Sequence, residues 1–191
     1  MKVRIFAVFC IIAAALIQLP DVQSKTTPPT FYDAWAELSD RFNEKYYLVL
    51  RSHLVDRKMG DTARCVSILG ITKVFATSSI TAQLSMKANR ARDPTTNKVL
   101  KMEAYTPTGV GIKYMIKTTD QNTGDLLYNQ KLTFTDKISC RVLVYTLEGQ
   151  DYCQLWVRQS AVRGSIPRGC EADYDKYCPT RHQIFSEECL G

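Results

Sequence analysis

From residue 46 onward, hydrophobic and polar positions alternate with a period of two, which is typical of β-strands with one buried face. Residues 78–87 are the clearest case, because Ile80, Ala82, Leu84 and Met86 share one face and polar side chains occupy the other. Most of the strands are joined by short turns, which favours an antiparallel sandwich or an up-and-down barrel. The pattern predicts eight strands, at 46–53, 64–73, 78–87, 98–105, 111–119, 125–135, 139–146 and 151–159.

Two helical segments flank the strands. Residues 33–42 place Trp35, Leu38 and Phe42 on one face, and residues 171–177 form a second short helix that ends before a proline. Closing the sheet removes its exposed edges, and eight strands enclose a space that holds one small ligand. We therefore predict an all-β fold, an eight-stranded antiparallel barrel with a short N-terminal helix and a C-terminal helix packed outside.

The first 24 residues predict a secretory signal peptide. Basic residues precede an apolar stretch at 5–19, and small or modest residues lead to a cleavage point after Ser24. The apolar stretch is too short and wrongly flanked for a membrane span. We expect a secreted, extracellular protein that is not embedded in a membrane, with one domain over residues 25–191.

The chain is mildly basic, with a formal net charge of +6, so anionic surfaces attract it weakly. Lys87, Arg90 and Arg92 form a loose cluster without interleaved aromatic residues, which indicates a solvated loop and no nucleic-acid partner. The sequence contains no nucleotide-binding loop, nucleophile elbow or metal-binding cluster. We therefore expect no enzyme activity, no cofactor and no metal.

Cysteines provide the next constraint. Of seven, Cys10 lies in the signal peptide, and the remaining even number predicts disulfides in an extracellular protein. Zinc binding is a weak alternative, because there is no Cys-x-x-Cys and the only histidines are His53 and His182. Spacing alone leaves the connectivity open. The cysteines concerned are Cys65, Cys140, Cys153, Cys170, Cys178 and Cys189.

The last predicted hairpin, "SCRVLVYTLEGQDYCQLWVRQ", carries the main candidate site. Successive side chains of a strand point to opposite faces. If Cys140 and Cys153 make disulfides to a helix outside the barrel, then Arg141, Gln154 and Trp156 face inward. A small pocket with a few placed polar groups on apolar walls is what a ligand site looks like.

The predicted interior leaves two questions open. A buried guanidinium without a partner is too costly to keep, so Arg141 pairs either with an interior carboxylate such as Asp56 or Glu103 or with an anionic ligand. The aromatic side chains available to the interior either line a ligand space or fill it by ordinary core packing. These side chains are Tyr114, Phe134, Tyr145 and Trp156.

Several motifs together resemble the tick salivary lipocalins, the histamine-binding protein family, over nearly all of residues 25–191. The usual lipocalin Gly-x-Trp is absent, since Asp33-Ala34-Trp35 has no glycine. The resemblance implies a lipocalin barrel that sequesters a small host mediator during blood feeding. It also implies that Cys65 pairs with Cys189, Cys140 with Cys170 and Cys153 with Cys178. The motifs are "DAW" at 33–35, "YYLVLRS" at 46–52, Cys65, Cys140, "QLW" at 154–156, Cys170 and "CLG" at 189–191.

The chain departs from the amine-binding pattern that the resemblance implies. Arg141 stands where the family has an aspartate, and Gln154 stands where it has a glutamate. A bound ammonium would therefore meet repulsion in a low-dielectric site. At the family's other amine site Asp56 keeps the acid, but Met59 replaces an aromatic residue, His53 replaces a tyrosine, and residues 95–97 contain no carboxylate.

From these departures we rank the hypotheses about the ligand. An anionic eicosanoid such as a leukotriene or thromboxane is slightly favoured by Arg141 and Gln154, and a biogenic amine such as histamine or serotonin comes next. An amine site around Asp56 survives only in weakened form, and the alternative for Asp56 is a solvated loop acid. A different class of function is a protein-binding immune modulator that acts on complement or a host receptor through surface loops.

Overall fold

The computed structural model describes residues 30–109 and 111–191, and the predicted signal peptide lies outside them. Two α-helices and nine strands make up its main elements. The helices are α1 (Ala34–Asp40) and α2 (Arg168–Tyr177). The strands are β1 (Tyr46–Arg51), β2 (Arg64–Val74), β3 (Ser79–Lys87), β4 (Thr95–Tyr105), β5 (Met115–Asp120), β6 (Leu126–Thr135), β7 (Cys140–Leu147), β8 (Gln150–Arg158) and β9 (His182–Gln183). Three short 3-10 helices follow β1, β2 and β9, at Arg57–Met59, Phe75–Thr77 and Glu187–Leu190.

The strands close into a barrel. From β2 to β8 each strand pairs antiparallel with the next, and β1 pairs with both β8 and β2. Because Tyr46 lies opposite both Ile68 and Arg158, the first strand completes the ring. The predicted eight-stranded up-and-down barrel is confirmed. The additional strand β9 pairs with the end of β1; two residues give no periodicity from which to predict it.

Two buried clusters separate the inside of the barrel from its outer face. The inner cluster includes Leu48, Leu84, Leu132 and Trp156, and α1 packs against β3 and β4. The outer cluster lies between α2 and strands β6, β7 and β8 and contains Tyr174. The C-terminal helix therefore packs outside the barrel, as predicted.

Element boundaries differ from the predicted ones at several places. The helix predicted at 33–42 spans Ala34–Asp40, and the Asp33 carboxylate caps it by accepting the backbone N–H of Ala36. β4 begins at Thr95, ahead of the predicted 98, and β5 begins at Met115, well after the predicted 111. Residues 95–97 are all exposed, so no alternation marks the start of β4.

The segment between β1 and β2, residues 52–63, covers the end of the barrel opposite α1, and we name it the lid loop. It contains the 3-10 helix Arg57–Met59. The Lys58 ammonium donates a hydrogen bond to the carbonyl oxygen of Leu127 on β6, on the far side of the opening. In residues 30–109 and 111–191, neither α-helix has the length and apolar character needed to cross a bilayer.

Candidate ligand-binding site

The two strands of the last hairpin orient their side chains as predicted from the alternation of opposite faces along a strand. Arg141 lies directly opposite Trp156 in the β7–β8 register, and both side chains are buried on the inner side. Gln154 is fully buried on the same side. Cys140 and Cys153 belong to the outer cluster under α2. The inward orientation of Arg141, Gln154 and Trp156 is confirmed.

Three disulfides have the pairing that the resemblance implies. They join Cys65 to Cys189, Cys140 to Cys170 and Cys153 to Cys178. Two of them tie α2 and its C-terminal cap residue to strands β7 and β8. The third ties the start of β2 to the last 3-10 helix, so both the site-bearing hairpin and the C-terminal segment are fastened to the barrel.

Arg141 lies at the end of the barrel opposite the lid loop, next to α1, and we name this the closed end. Its guanidinium carbon sits between the rings of Phe42 and Tyr46, at 4.0 and 4.2 Å from their centroids. Its Nη1 lies 3.9 Å from Oε1 of Glu37 on α1, and both side chains are only 1% exposed. Burial lowers the pKa of Arg141, while Tyr46 and Glu37 oppose that shift. The carboxylate partner is therefore Glu37, and neither Asp56 nor Glu103.

Glu37 is itself held in place by several partners. Its Oε2 accepts hydrogen bonds from Arg41 at 3.2 Å and from the Thr135 hydroxyl at 2.9 Å. A buried ion pair is tolerated when further hydrogen bonds satisfy the remaining polar atoms. The hydrogen bonds of Glu37 join α1 to the barrel, and its carboxylate balances the charge of Arg141, whose Nε and Nη1 have no hydrogen-bond acceptor among the described residues.

Gln154 lies deeper in the barrel interior, in a small amide cluster. Its Oε1 accepts hydrogen bonds from Gln130 Nε2 at 2.9 Å and from the Trp156 indole N–H at 3.2 Å. Its Nε2 faces the sulfur of Met59 at 3.9 Å. Met59 therefore projects from the lid loop into the barrel, above Gln154.

Asp56 is the buried acid at the lid end of the barrel. It is 4% exposed, and its Oδ2 accepts hydrogen bonds from the Tyr128 hydroxyl at 2.6 Å and from His53 Nε2 at 3.1 Å. Its Oδ1 accepts the backbone N–H of Lys58 at 3.1 Å. Burial raises the pKa of Asp56, but these hydrogen bonds outweigh it and the net pKa lies below the ordinary value. The interpretation of Asp56 as a solvated loop acid is wrong, because its three partners bury it.

Aromatic rings surround His53 beside this acid. Its imidazole makes edge-on contacts with Tyr145 and Tyr152, at centroid distances of 6.1 and 5.2 Å. Tyr145 stacks on Tyr152 at 5.3 Å and packs against Tyr128 at 5.2 Å. Burial raises the pKa of Tyr145, and the nearby Asp56 carboxylate adds to that shift. His53, Asp56 and Tyr145 therefore meet in one polar cluster.

Arg51 is the interior residue that the sequence did not reveal. Alternation from Tyr46 and Leu48 predicts that Arg51 points outward, but the β1–β8 register shifts between Leu48 and Leu50. This bulge reverses the alternation, so that Leu50 packs on the outside and Arg51 is 0% exposed. No short sequence signal marks the bulge.

The guanidinium of Arg51 is only partly satisfied. Its Nη2 donates to the carbonyl oxygens of Leu54 at 2.5 Å and Asp61 at 2.8 Å, near the two ends of the lid loop. Its Nε and Nη1 are buried, with no hydrogen-bond acceptor in the described part of the chain. Burial lowers the pKa of Arg51, and the Asp56 carboxylate opposes that shift.

Tyr114 lies apart from the other predicted site residues. It precedes β5, and its ring packs against Phe31 at a centroid distance of 4.4 Å. The ammonium of Lys131 lies 5.6 Å from the Phe31 ring and 5.9 Å from the Tyr114 ring. This group is separate from the cluster of His53, Asp56 and Tyr145.

Side chains fill the barrel between the lid loop and the closed end. Leu48, Met59, Tyr128, Gln154 and Trp156 are each no more than 4% exposed. Such low exposure means that little room is left for even a water molecule beside them. Of the two alternatives from the sequence, a filled interior describes this conformation. Trp156 and Tyr145 belong to the interior, but Phe134 packs against the outer cluster and Tyr114 against Phe31, so those two aromatic residues do not fill it.

Comparison with known proteins supports the fold. The structure is similar to Japanin from Rhipicephalus appendiculatus bound to cholesterol, with 18% sequence identity and a TM-score of 0.58 over 77% of this chain and 95% of that chain. It is also similar to lobster apocrustacyanin A1, with 12% identity and a TM-score of 0.51 over 80% and 83% of the two chains. At these identities the likeness is one of fold alone. No curated protein matches the chain in sequence.

The family follows from a match along the sequence. The family model described as tick histamine binding protein matches residues 25–191, which include every described strand and helix. The match agrees with the eight-stranded lipocalin-like barrel and its two helices. This chain therefore belongs to the tick histamine-binding protein family.

Proposed function

We propose that the chain sequesters a small amphipathic host mediator with an anionic head group, such as a leukotriene or thromboxane, at the lid end of the barrel. The head group would bind Arg51, whose buried Nε and Nη1 have no acceptor among the described residues. This is the observation that carries the proposal. A buried N–H without a partner costs about 1–3 kcal/mol, more when the group is charged, so an incoming carboxylate relieves that cost.

Arg51 replaces Arg141 as the cation in this proposal. Arg141 also has a buried Nε and Nη1 without a hydrogen-bond acceptor among the described residues. However, its Nη1 lies 3.9 Å from the Glu37 carboxylate and two rings cover its faces, whereas Arg51 has no carboxylate within 4 Å in the described part of the chain, so an anionic ligand gains less at Arg141. A hydrogen bond between a guanidinium and a carboxylate is charge-assisted on both sides and is therefore stronger than a neutral one. Nε and Nη1 of Arg51 lie on different edges of the guanidinium, so a ligand carboxylate accepts one such bond, from either of them.

Entry of a ligand requires the lid loop to move, because the interior is filled. The loop carries Met59, whose sulfur contacts the Gln154 amide. Opening the loop withdraws this flexible side chain from the barrel and leaves space above Gln154 for an apolar tail. Arg51 binds the carbonyl oxygens of Leu54 and Asp61, so the residue that would receive the head group also holds the lid.

A biogenic amine is the second candidate, because Asp56 is a buried carboxylate among tyrosine rings. An ammonium is attracted both to a carboxylate and to aromatic faces. However, the Asp56 oxygens already accept three hydrogen bonds, and His53 holds one of those positions. An amine would have to displace His53, which makes this candidate the weaker one.

Calorimetric titration of residues 25–191 with leukotriene B4, histamine and serotonin tests the proposal. We expect leukotriene B4 to bind and Arg51→Met to weaken its binding about 10- to 100-fold, since a hydrogen bond to a charged group contributes about 1.5–3 kcal/mol. The matched control is Arg57→Met, because Arg57 is an exposed arginine on the lid loop. Circular dichroism checks that each variant is folded.

Two other outcomes would favour a different function. Tight histamine or serotonin binding that Asp56→Asn abolishes and Arg51→Met leaves unchanged would replace the anionic ligand by an amine. If none of the three compounds binds, the proposal fails and a host protein bound through surface loops becomes the better hypothesis.

A further inference from the structure

A second concave site lies outside the barrel, beside the Cys65–Cys189 disulfide. It is a recess of about 430 Å³ between the start of β2, the β3–β4 connection and the C-terminal segment. We name it the basic recess, because Arg64, Arg90 and Arg92 line it. It is separate from Arg51 and from the proposed mediator site.

The charges of the recess are unbalanced. Arg64, Arg90 and Arg92 are exposed, and none of them lies within 4 Å of a carboxylate in the described part of the chain. The one acid lining the recess is Glu188. Three guanidinium groups against one carboxylate leave a net positive recess, on a chain whose formal net charge is already +6.

Local hydrogen bonds order the turn that carries two of the arginines. The Asp93 carboxylate accepts the backbone N–H groups of Asn89 at 2.8 Å and Arg90 at 2.9 Å. The Lys87 ammonium donates to the carbonyl oxygen of Ala91 in the same turn. The hydrogen bonds of the Asp93 carboxylate are therefore made with backbone N–H groups of the turn.

Arg64 is positioned from the other side of the recess. Its Nη1 donates to the carbonyl oxygen of Gln183 on β9. The disulfide from Cys65 to Cys189 fixes the adjacent wall. The arginines are thus presented by segments that are already held in place, which reduces the entropy lost when an anion binds.

We propose that the basic recess binds sulfate groups of a sulfated extracellular polysaccharide, a glycosaminoglycan chain. Guanidinium groups form forked hydrogen bonds with tetrahedral oxyanions such as sulfate. A recess admits a sulfate group that projects from the polysaccharide, and the arginines that line it can contact neighbouring sulfates. A flat phospholipid surface fits less well, because the apolar lining residues Cys65 and Ile184 are buried and Ala91 offers only a small, half-buried methyl group for insertion. Such binding would retain the protein near the site where it is released.

Calorimetry with a heparin octasaccharide at about 0.1 M NaCl provides the test, since the Debye length there is about 10 Å. The test variant is Arg90→Gln/Arg92→Gln, and the matched control is Lys117→Gln/Arg168→Gln, which removes two exposed charges outside the recess. We expect the test variant to raise Kd about tenfold or more, because each arginine loses charge-assisted hydrogen bonds. We expect the control to change Kd less than about threefold, since it loses only long-range attraction.

Further arms separate the alternatives. Completely desulfated heparin should not bind, and Arg64→Gln alone should weaken binding of the sulfated chain. Equal losses in the test and control variants would overturn the proposal, because they indicate general charge attraction. Binding to phosphatidylserine vesicles that needs Arg90 and Arg92, without binding to the octasaccharide, would also overturn it. Leukotriene B4 titration of the test variant should be unchanged, so this proposal and the mediator proposal can fail separately.

Discussion

Replacing Arg141 tests the network at the closed end of the barrel. Arg141→Met keeps an unbranched apolar side chain between Phe42 and Tyr46 but leaves Glu37 with one cation fewer. The wild-type guanidinium is 1% exposed, lies 4.0 and 4.2 Å from the two ring centroids, and is 3.9 Å from the Glu37 carboxylate. Removing one partner of a buried pair costs about 3–5 kcal/mol, and desolvated cation–π contacts contribute up to about 2 kcal/mol each.

We therefore expect Arg141→Met to lower the free energy of unfolding by about 3–5 kcal/mol, a large part of the stability of a domain of this size. Glu37→Gln in the same chain removes a buried carboxylate that would then have only Arg41 as a paired cation among the described residues, so the double variant should recover part of the loss. Urea denaturation followed by circular dichroism, with the disulfides intact, measures all four corners of this double-mutant cycle.

If Arg141→Met alone changes the free energy of unfolding by less than about 1 kcal/mol, or if the double variant is no more stable than the single one, the Arg141–Glu37 pair does not stabilise this end of the barrel. A matched control is Arg168→Met, which truncates an exposed arginine on α2 and should change stability by less than about 0.5 kcal/mol.

Three more predictions concern stability, and each uses the same urea assay. Replacing Cys153 and Cys178 together by alanine should cost about 2–4 kcal/mol, through the greater entropy of the unfolded chain; an unchanged urea midpoint would contradict this. Gly70→Ala should cost about 1–3 kcal/mol, because its Cβ would meet a backbone carbonyl oxygen at 2.6 Å, whereas Gly164→Ala meets one only at 3.4 Å and should be well tolerated. The folded-state pKa of Asp56 is lowered, so its stabilisation is present above the unfolded value of about 3.9 and is lost as pH falls through the lower folded value. Asp56→Asn should therefore flatten the dependence of stability on pH below about 4, and an unchanged slope would show that Asp56 is not the titrating group.

The sequence predicts much of the fold because its alternation is strong. Residues 139–159 show this best, since the two cysteines define one face of the hairpin and Arg141, Gln154 and Trp156 necessarily occupy the other. The structure confirms this orientation. Parity is a local property, so neighbouring residues are enough to establish it.

The site was less predictable, because its contacts join residues far apart in the sequence. The partner of Arg141 is Glu37 on the N-terminal helix, and the partner of Asp56 is Tyr128 on β6. Arg51 enters the barrel only because of a bulge in β1, which reverses the alternation that the residues themselves suggest. A single irregular residue thus changes which cation faces the interior.

The most direct test of the central claim is a crystal structure of residues 25–191 grown with leukotriene B4. We predict a lid loop displaced from the barrel, an apolar tail above Gln154, and a ligand carboxylate within hydrogen-bond distance of Nε or Nη1 of Arg51. A carboxylate bound at another cation, with Arg51 Nε and Nη1 still without an acceptor, would contradict this prediction.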